Sequence, residues 1–413
     1  MSLSTQRRRF LQSCGALAVG GPAAFGQAFA AEPAVLDLII TGGHVIDPAN
    51  GLDGLADIAV HKGLIARVAP SLAGVTAART IDASGRFVCP GLIDAHVHVA
   101  DGMMPVSMPP RLAGIQSGVT TMVDAGSTGQ RNYDAFRRYI VQPADTRIFT
   151  LLNIAATGLA VLNELYVEPS QISAKRALRA IRENRDLITG LKARVRGRPE
   201  TLEHDIEAMK VVRAVCDEAG LPVMMHWTNE PALLDWLRPG DTMTHPFNPD
   251  YLNPSAITAD GKLFPTVLEL KDRGITVDLA HGSSFDWNKA EAAAEQGWFP
   301  DVLSTDMFSR YFRPDGVVGD LPTVMSKFRL LGLSMAQVVE KTTLAPANQP
   351  SVPVPVGTLS VGAFADITLL EARQGKFEFV DSPRLQATRS ATEKLVATMT
   401  IKSGRVYELP AAS

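Results

Sequence analysis

The chain has 413 residues, 46% of them hydrophobic, enough to bury a large core and more than one domain usually holds. Its net charge of −3 includes Arg7, Arg8 and Arg9; without those three arginines the rest carries −6, which argues against nucleic acid as a partner. Three cysteines, at 14, 89 and 216, are too few for a disulfide framework in a chain this large.

Residues 1–31 read as an export signal. Arg7, Arg8 and Arg9 precede Phe10-Leu11, a Gly/Ala-rich and mildly apolar stretch follows, and Ala28-Phe29-Ala30 supplies a small-x-small cleavage site. This order resembles a twin-arginine leader and predicts a periplasmic or secreted protein. Pro22 and several glycines make the stretch a poor transmembrane helix, and no other segment is long and apolar enough to span. No stable membrane insertion is expected once the signal is removed.

From 35 to 88 short apolar runs (36–41, 44–46, 56–60, 64–68) alternate with the turn residues Gly42-Gly43 and Pro48-Ala49-Asn50-Gly51. His44 and His61 fall here and read as exposed strand or turn residues. The pattern returns after Pro355, over 357–359, 362–370 and 395–401. The two ends, 35–88 and 353–410, are therefore expected to pair into one small β-sandwich.

The middle, 89–350, alternates strand with helix. Strands are predicted at 93–99, 120–124, 147–154, 187–195, 222–226, 242–245, 276–281 and 301–305, over a span close to the ~250 residues typical of a (β/α)8 barrel. Helices are predicted at 174–187, at 202–219 closing on Gly220, at 264–273 closing on Gly274, and after the capping box Ser334-x-x-Gln337. The stripe Leu202, Ile206, Met209, Val212, Cys216 has helical spacing and puts Cys216 in the core. Cys89 is assigned no role. The expected fold class is α/β, a (β/α)8 TIM-type barrel with a small β-sandwich built from both termini.

The chemistry centres on His96-Val97-His98. Side chains two apart on a strand project to one face, roughly 6.6 to 7 Å apart along it, close enough to share a metal ion. The chain has only eight histidines, and His96, His98, His226, His245 and His281 all sit at or just past the ends of apolar runs; Asp306 ends another. In a barrel those strand ends form the active-site face. Lys192, in strand four, belongs to the same ring. Singly, His226 or His245 would be a core histidine and Lys192 a surface charge; as a set with the His-x-His pair they read as a metal site. His204 lies on the polar side of its helix and reads as solvated.

The order His-x-His, Lys, His, His, Asp on strands one, four, five, six and eight resembles the binuclear branch of the amidohydrolase superfamily. Within it the chain is most similar to the amidohydrolase/deacetylase metallohydrolases, relatives of the dihydroorotases. The segments that carry this are Gly91-Leu92-Ile93-Asp94-Ala95-His96-Val97-His98, 118–127, Gly190-Leu191-Lys192-Ala193-Arg194, 237–241, His281-Gly282-Ser283-Ser284-Phe285 and Ser304-Thr305-Asp306.

The resemblance implies two divalent metal ions, with zinc favoured by the His-rich set although manganese or cobalt also suit such sites. His96, His98 and Asp306 would hold the more buried ion and His226 and His245 the more exposed one. Lys192 would bridge them as a CO2-derived carbamate, since an ammonium repels cations. Asp306 would accept a proton from the attacking water and deliver it to the leaving group. His281 matches a position near the substrate and is expected as a contact or supporting group. Arg194, two residues beyond Lys192 and so on its face, is expected to bind a substrate carboxylate, with Arg310 and Arg313 as alternatives.

The implied activity is hydrolysis of an acyclic amide or ester, deacylating N-acyl amino acids or O-acyl hydroxy acids. The partner is then a small-molecule acyl substrate, and a homo-oligomer is compatible with the reading. A cyclic amidase of dihydroorotase or hydantoinase type would use the same ligands. A non-catalytic scaffold relative would be expected to have lost a ligand, and none is lost. Trp227-Thr228-Asn229 and Pro246-Phe247-Asn248-Pro249 depart from the family pattern and are expected at the mouth of the site.

Overall fold

Five strands open the fold: β1 (Leu36–Asp47), β2 (Leu52–His61), β3 (Leu64–Ala69), β4 (Ala77–Asp82) and β5 (Phe87–Pro90). The computed structural model describes residues 35–160, 171–252, 254–308 and 319–410. The expected leader at 1–31, together with Arg310 and Arg313, lies outside the described residues. Asp47 ends β1 and accepts from Ala49 N, while Gly51 takes a left-handed φ of 63°, so the turn into β2 is set by local chemistry.

Seven parallel strands follow: β6 (Leu92–Val97), β7 (Val119–Asp124), β8 (Arg147–Asn153), β9 (Ile188–Ala193), β10 (Val223–His226), β11 (Thr242–Thr244) and β12 (Thr276–Asp278). Every residue of β6, β7, β9 and β10 is buried, as strands covered on both faces must be. Among the covering helices are α1 (Ala174–Glu183), α2 (Leu202–Ala219), α3 (Pro265–Asp272), α4 (Trp287–Glu295), α5 (Leu321–Leu330) and α6 (Met335–Thr342). Gly220 ends α2 at φ 63°, Cys216 is buried on its inner stripe, and the Ser334/Gln337 capping box starts α6. None of the described helices is long and apolar enough to cross a membrane.

The barrel differs from eight equal strands. Between β12 and β6 the gap is closed by residues 301–307 through single bonds: Leu279 N to Val302 O (3.0 Å), Asp306 N to His96 O (2.7 Å) and His98 N to Met307 O (3.1 Å). No ladder forms because Thr305 N donates to the Asp94 carboxylate (3.1 Å) instead of a backbone carbonyl, and Asp306 turns the chain at φ 47°.

The termini close with β13 (Ile367–Val380), β14 (Thr388–Lys402) and β15 (Arg405–Glu408). They join the first strands in one eight-stranded sheet, ordered β15-β14-β13-β5-β1-β2-β3 with β4 on β1. The two ends do pair as expected, but as one continuous sheet. The reason is β5, which bonds in parallel to β1 on one edge and antiparallel to β13 on the other. Leu38, Ile40, Val45, Ile58, Val88, Ile367, Leu369 and Ile401 share its core.

Candidate metal centre

His96 lies one residue from the end of β6 and His98 one residue past it, where the strand bulges between Asp94 and Val97. Their rings stand 5.5 Å apart, and both Nε2 atoms face Asp306: Oδ1 is 3.5 Å from His96 and 3.2 Å from His98. These three donors lie within 4.8 Å of one another and are all buried. Lys192, mid-β9 and 1% exposed, brings Nζ to 3.5 Å from His96 Nε2 and 3.3 Å from Met224 Sδ on β10. His226 ends β10 and His245 follows β11; their rings are 4.7 Å apart, and His245 is 5.3 Å from His96. All six expected ligands therefore converge at one end of the parallel strands.

Neighbours fix which nitrogen each ring offers. His96 Nδ1 faces Asp278 Oδ2 at 3.0 Å, a carboxylate that also accepts from Thr244 Oγ1 (2.9 Å) and Ser304 Oγ (2.5 Å). His98 Nδ1 faces Ser127 Oγ at 3.0 Å, whose own proton goes to Asp124 Oδ2 at 2.6 Å. His245 Nδ1 faces Ala280 O at 3.0 Å. Each partner accepts, so each Nδ1 carries the proton and each Nε2 presents a lone pair.

Burial holds the rings of His96, His226 and His245 neutral. It pushes the pKa of His96 well below the ordinary value, with the Lys192 charge adding to it, and does the same for His226, helped by Arg196. His245 is lowered to about 3 by burial, against the opposing pull of Asp306. Lys192 falls to about 7, again through burial. Asp278 is pushed up to about 6 by burial.

The backbone here is strained. His245 (φ 72°), Ala280 (φ 43°) and Asp306 (φ 47°) all adopt left-handed conformations that side chains disfavour, and such strain clusters at working sites. Two glycines give the site its room. A Cβ on Gly126 would lie 2.5 Å from Lys192 Cβ, and one on Gly282 would lie 2.1 Å from Asp306 Oδ2.

Arg194 lies just past β9, and Arg196 two residues on. Among the described residues neither guanidinium has a hydrogen-bonded carboxylate, and Arg196 Nε is buried without a partner. Burial lowers both pKa values, that of Arg196 to about 9 with Arg194 and Arg198 contributing. Asp205 on α2 pins the backbone that carries Arg196, accepting from its N at 3.0 Å and from Gly197 N at 2.9 Å.

His281 lies wholly inside the protein. Its ring is fully buried and stacked on Phe285, with Nε2 2.7 Å from Lys327 Nζ and Nδ1 3.3 Å from Gly282 O, so both nitrogens are used inside the protein. Trp227 and Phe247 are buried too, and Trp227 Nε1 donates to Asn229 Oδ1 at 3.1 Å; they brace the loops and do not line the mouth. Asn229 does line an open cavity of about 540 Å³, together with Arg198, Tyr251 and Phe264. Asp278, Asp124 and Ser127 were not singled out by sequence reasoning. The available signal was the position of Asp124, an acidic residue ending the apolar strand β7; Ser127 and Asp278, which lies within the run 276–281, gave none.

The sequence pattern of the Amidohydrolase family matches residues 87–407. A protein named deacetylase from Enterococcus faecalis is 33% identical over 379 residues, 90% of this chain and 99% of the relative. Another named deacetylase, from Agrobacterium fabrum, is 35% identical over 327 residues, 78% of this chain and 79% of the relative. A crystal structure described as an adenine deaminase superposes with a TM-score of 0.80 at 31% identity, covering 90% of this chain and all of that one.

Proposed function

Because the chain belongs to the amidohydrolase family, we propose that it is a binuclear metal-dependent hydrolase that removes the acyl group from an acyclic amide or ester, with N-acyl amino acids or O-acyl hydroxy acids as substrates. The observation that carries this reading is the buried triad His96, His98 and Asp306, whose Nε2 and Oδ1 atoms face one another at 3.2 and 3.5 Å. Donors bound to one tetrahedral ion at ~2.0–2.2 Å would stand about 3.4 Å apart, so this set fits a divalent cation. The names of the deacetylase relatives favour an acyl amide over a ring.

His96, His98 and Asp306 would hold one ion and His226 and His245 the second, with zinc suited to the imidazole-rich set. When bound, such ions make water nucleophilic at neutral pH and polarise the scissile carbonyl. Lys192 would join the two as a carbamate. Its depressed pKa leaves a large share of Nζ unprotonated at neutral pH; the nitrogen lone pair attacks CO2, an N–C bond forms, and one proton leaves. Asp306 takes the proton of the attacking water and passes it to the departing nitrogen or oxygen. Asp278, the Ser127–Asp124 pair and Ala280 O hold three imidazoles in the tautomer this requires.

Arg194 and Arg196 support a carboxylate on the substrate. Two guanidiniums without a hydrogen-bonded carboxylate among the described residues, one with a buried unmatched N–H, favour an anion that bonds them bidentately. Export through the leader at 1–31 is part of the same proposal and rests on its residues alone.

The test is a screen of metal-loaded protein against N-acetyl amino acids, O-acetyl hydroxy acids and cyclic amides. Turnover of the open-chain acids is expected. Turnover confined to cyclic amides would replace this reading with the hydantoinase-like one.

A further inference from the structure

We infer that Lys327 and His281 are positioning residues that act on His245 and Asp306 through the turn Ala280-His281-Gly282; the inference rests on the site being the catalytic metal centre proposed above. The turn touches one member of each expected ligand group. Ala280 O receives His245 Nδ1 at 3.0 Å, and Gly282 packs so closely on Asp306 that an added Cβ would sit 2.1 Å from Oδ2. Its conformation is unfavourable by itself, since Ala280 has φ 43°, so surrounding structure must hold it.

Backbone bonds hold one side: His281 N to Ser304 O at 3.2 Å and Gly282 N to Thr305 O at 2.8 Å. The His281 side chain holds the other. Lys327 Nζ, on α5, donates to His281 Nε2 at 2.7 Å and to Val380 O, at the end of β13, at 2.6 Å. The ring is therefore an acceptor at Nε2, its proton sits on Nδ1, and that proton points at Gly282 O, 3.3 Å away. The Phe285 and Trp287 rings lie 5.6 and 6.0 Å from Nζ and help offset the burial of its charge. Lys327 thus ties a barrel helix, the end of β13 and the ligand-bearing turn into one brace.

The experiment compares wild type with Lys327→Met, which keeps the side-chain bulk, and Lys327→Gln, which restores an N–H donor. The readouts are kcat and KM on the N-acetyl amino acid that wild type hydrolyses best, the visible spectrum of the cobalt-loaded protein, and Tm. Lys327→Met is expected to lower kcat about 10- to 100-fold with KM within about threefold, the scale of a lost supporting bond at a metal ligand. The cobalt spectrum should shift, and Lys327→Gln should recover part of both effects. An unchanged cobalt spectrum and kcat would overturn the inference, as would a lower Tm accompanied by a wild-type spectrum. If Lys327→Met does not fold, His281→Phe keeps the stacking on Phe285 and decides the matter by the same readouts. Should wild type hydrolyse no acyl acid, the proposed function fails, and the cobalt spectra still decide the brace on their own.

Discussion

Asp278 Oδ2 lies 3.0 Å from His96 Nδ1, and neither side chain reaches solvent. The contact fixes the tautomer of a ring whose other nitrogen faces Asp306. We predict that Asp278→Ala lowers metal affinity by roughly 10- to 100-fold, measured by chelator competition. Wild-type affinity would remove Asp278 from the support of the site.

Asp306 has two tasks in the proposed reaction, ligand and proton carrier. Asp306→Asn keeps the shape and one oxygen donor but cannot accept the proton. The variant should retain much of its metal in elemental analysis and lose activity by ~10²-fold or more. Near wild-type turnover would exclude the carboxylate from proton transfer.

Arg194 and Arg196 give a prediction about selectivity. Arg194→Met and Arg196→Met should each lower kcat/KM for an N-acyl amino acid by ~10-fold or more, the scale of a lost charge-assisted bond, and much less for the uncharged amide analogue. Equal losses on both substrates would assign these arginines to the fold or the metal centre.

Carbamate formation on Lys192 should follow pH. Only the unprotonated amine attacks CO2, and burial places its pKa at about 7. Metal-free protein in 13C-bicarbonate should therefore show a carbamate resonance that grows as pH rises through 7 and fades below 6. A signal independent of pH, or its persistence in Lys192→Met, would count against the modification at this residue.

Much of this site was legible in the sequence because β-strand geometry puts chemistry at strand ends. His96, His98, His226, His245 and Asp306 each close an apolar run, and a ring of parallel strands has to bring such ends together. Asp124 also closes an apolar run, and Asp278 sits inside one, ahead of Leu279 and Ala280. Nothing local separates a carboxylate that orients a ligand from one that is one, and only the distance to His96 or through Ser127 to His98 does so. Arg196 continues the two-residue series of Lys192 and Arg194, but its unmatched Nε is a property of packing. The gap between β12 and β6 was hidden for a related reason: Val302 to Thr305 is apolar enough for a strand, yet Asp94 takes the backbone donor that a ladder would need. The bond from Lys327 to His281 was not legible, because the two lie 46 residues apart and the helix that carries Lys327 has no motif.

The continuous sheet also bears on how the protein is made. Cys89 in β5 meets Thr368 in β13, 279 positions further along the chain, so β5 has an unpaired edge until nearly the whole polypeptide has left the ribosome. Loop closure over that distance is slow, and the barrel strand β6 begins only two residues after β5 ends. Nascent chains arrested before Ile367 should therefore be degraded by protease far faster than the finished protein, and the first strands wait, half-matched, for the last ones to be translated.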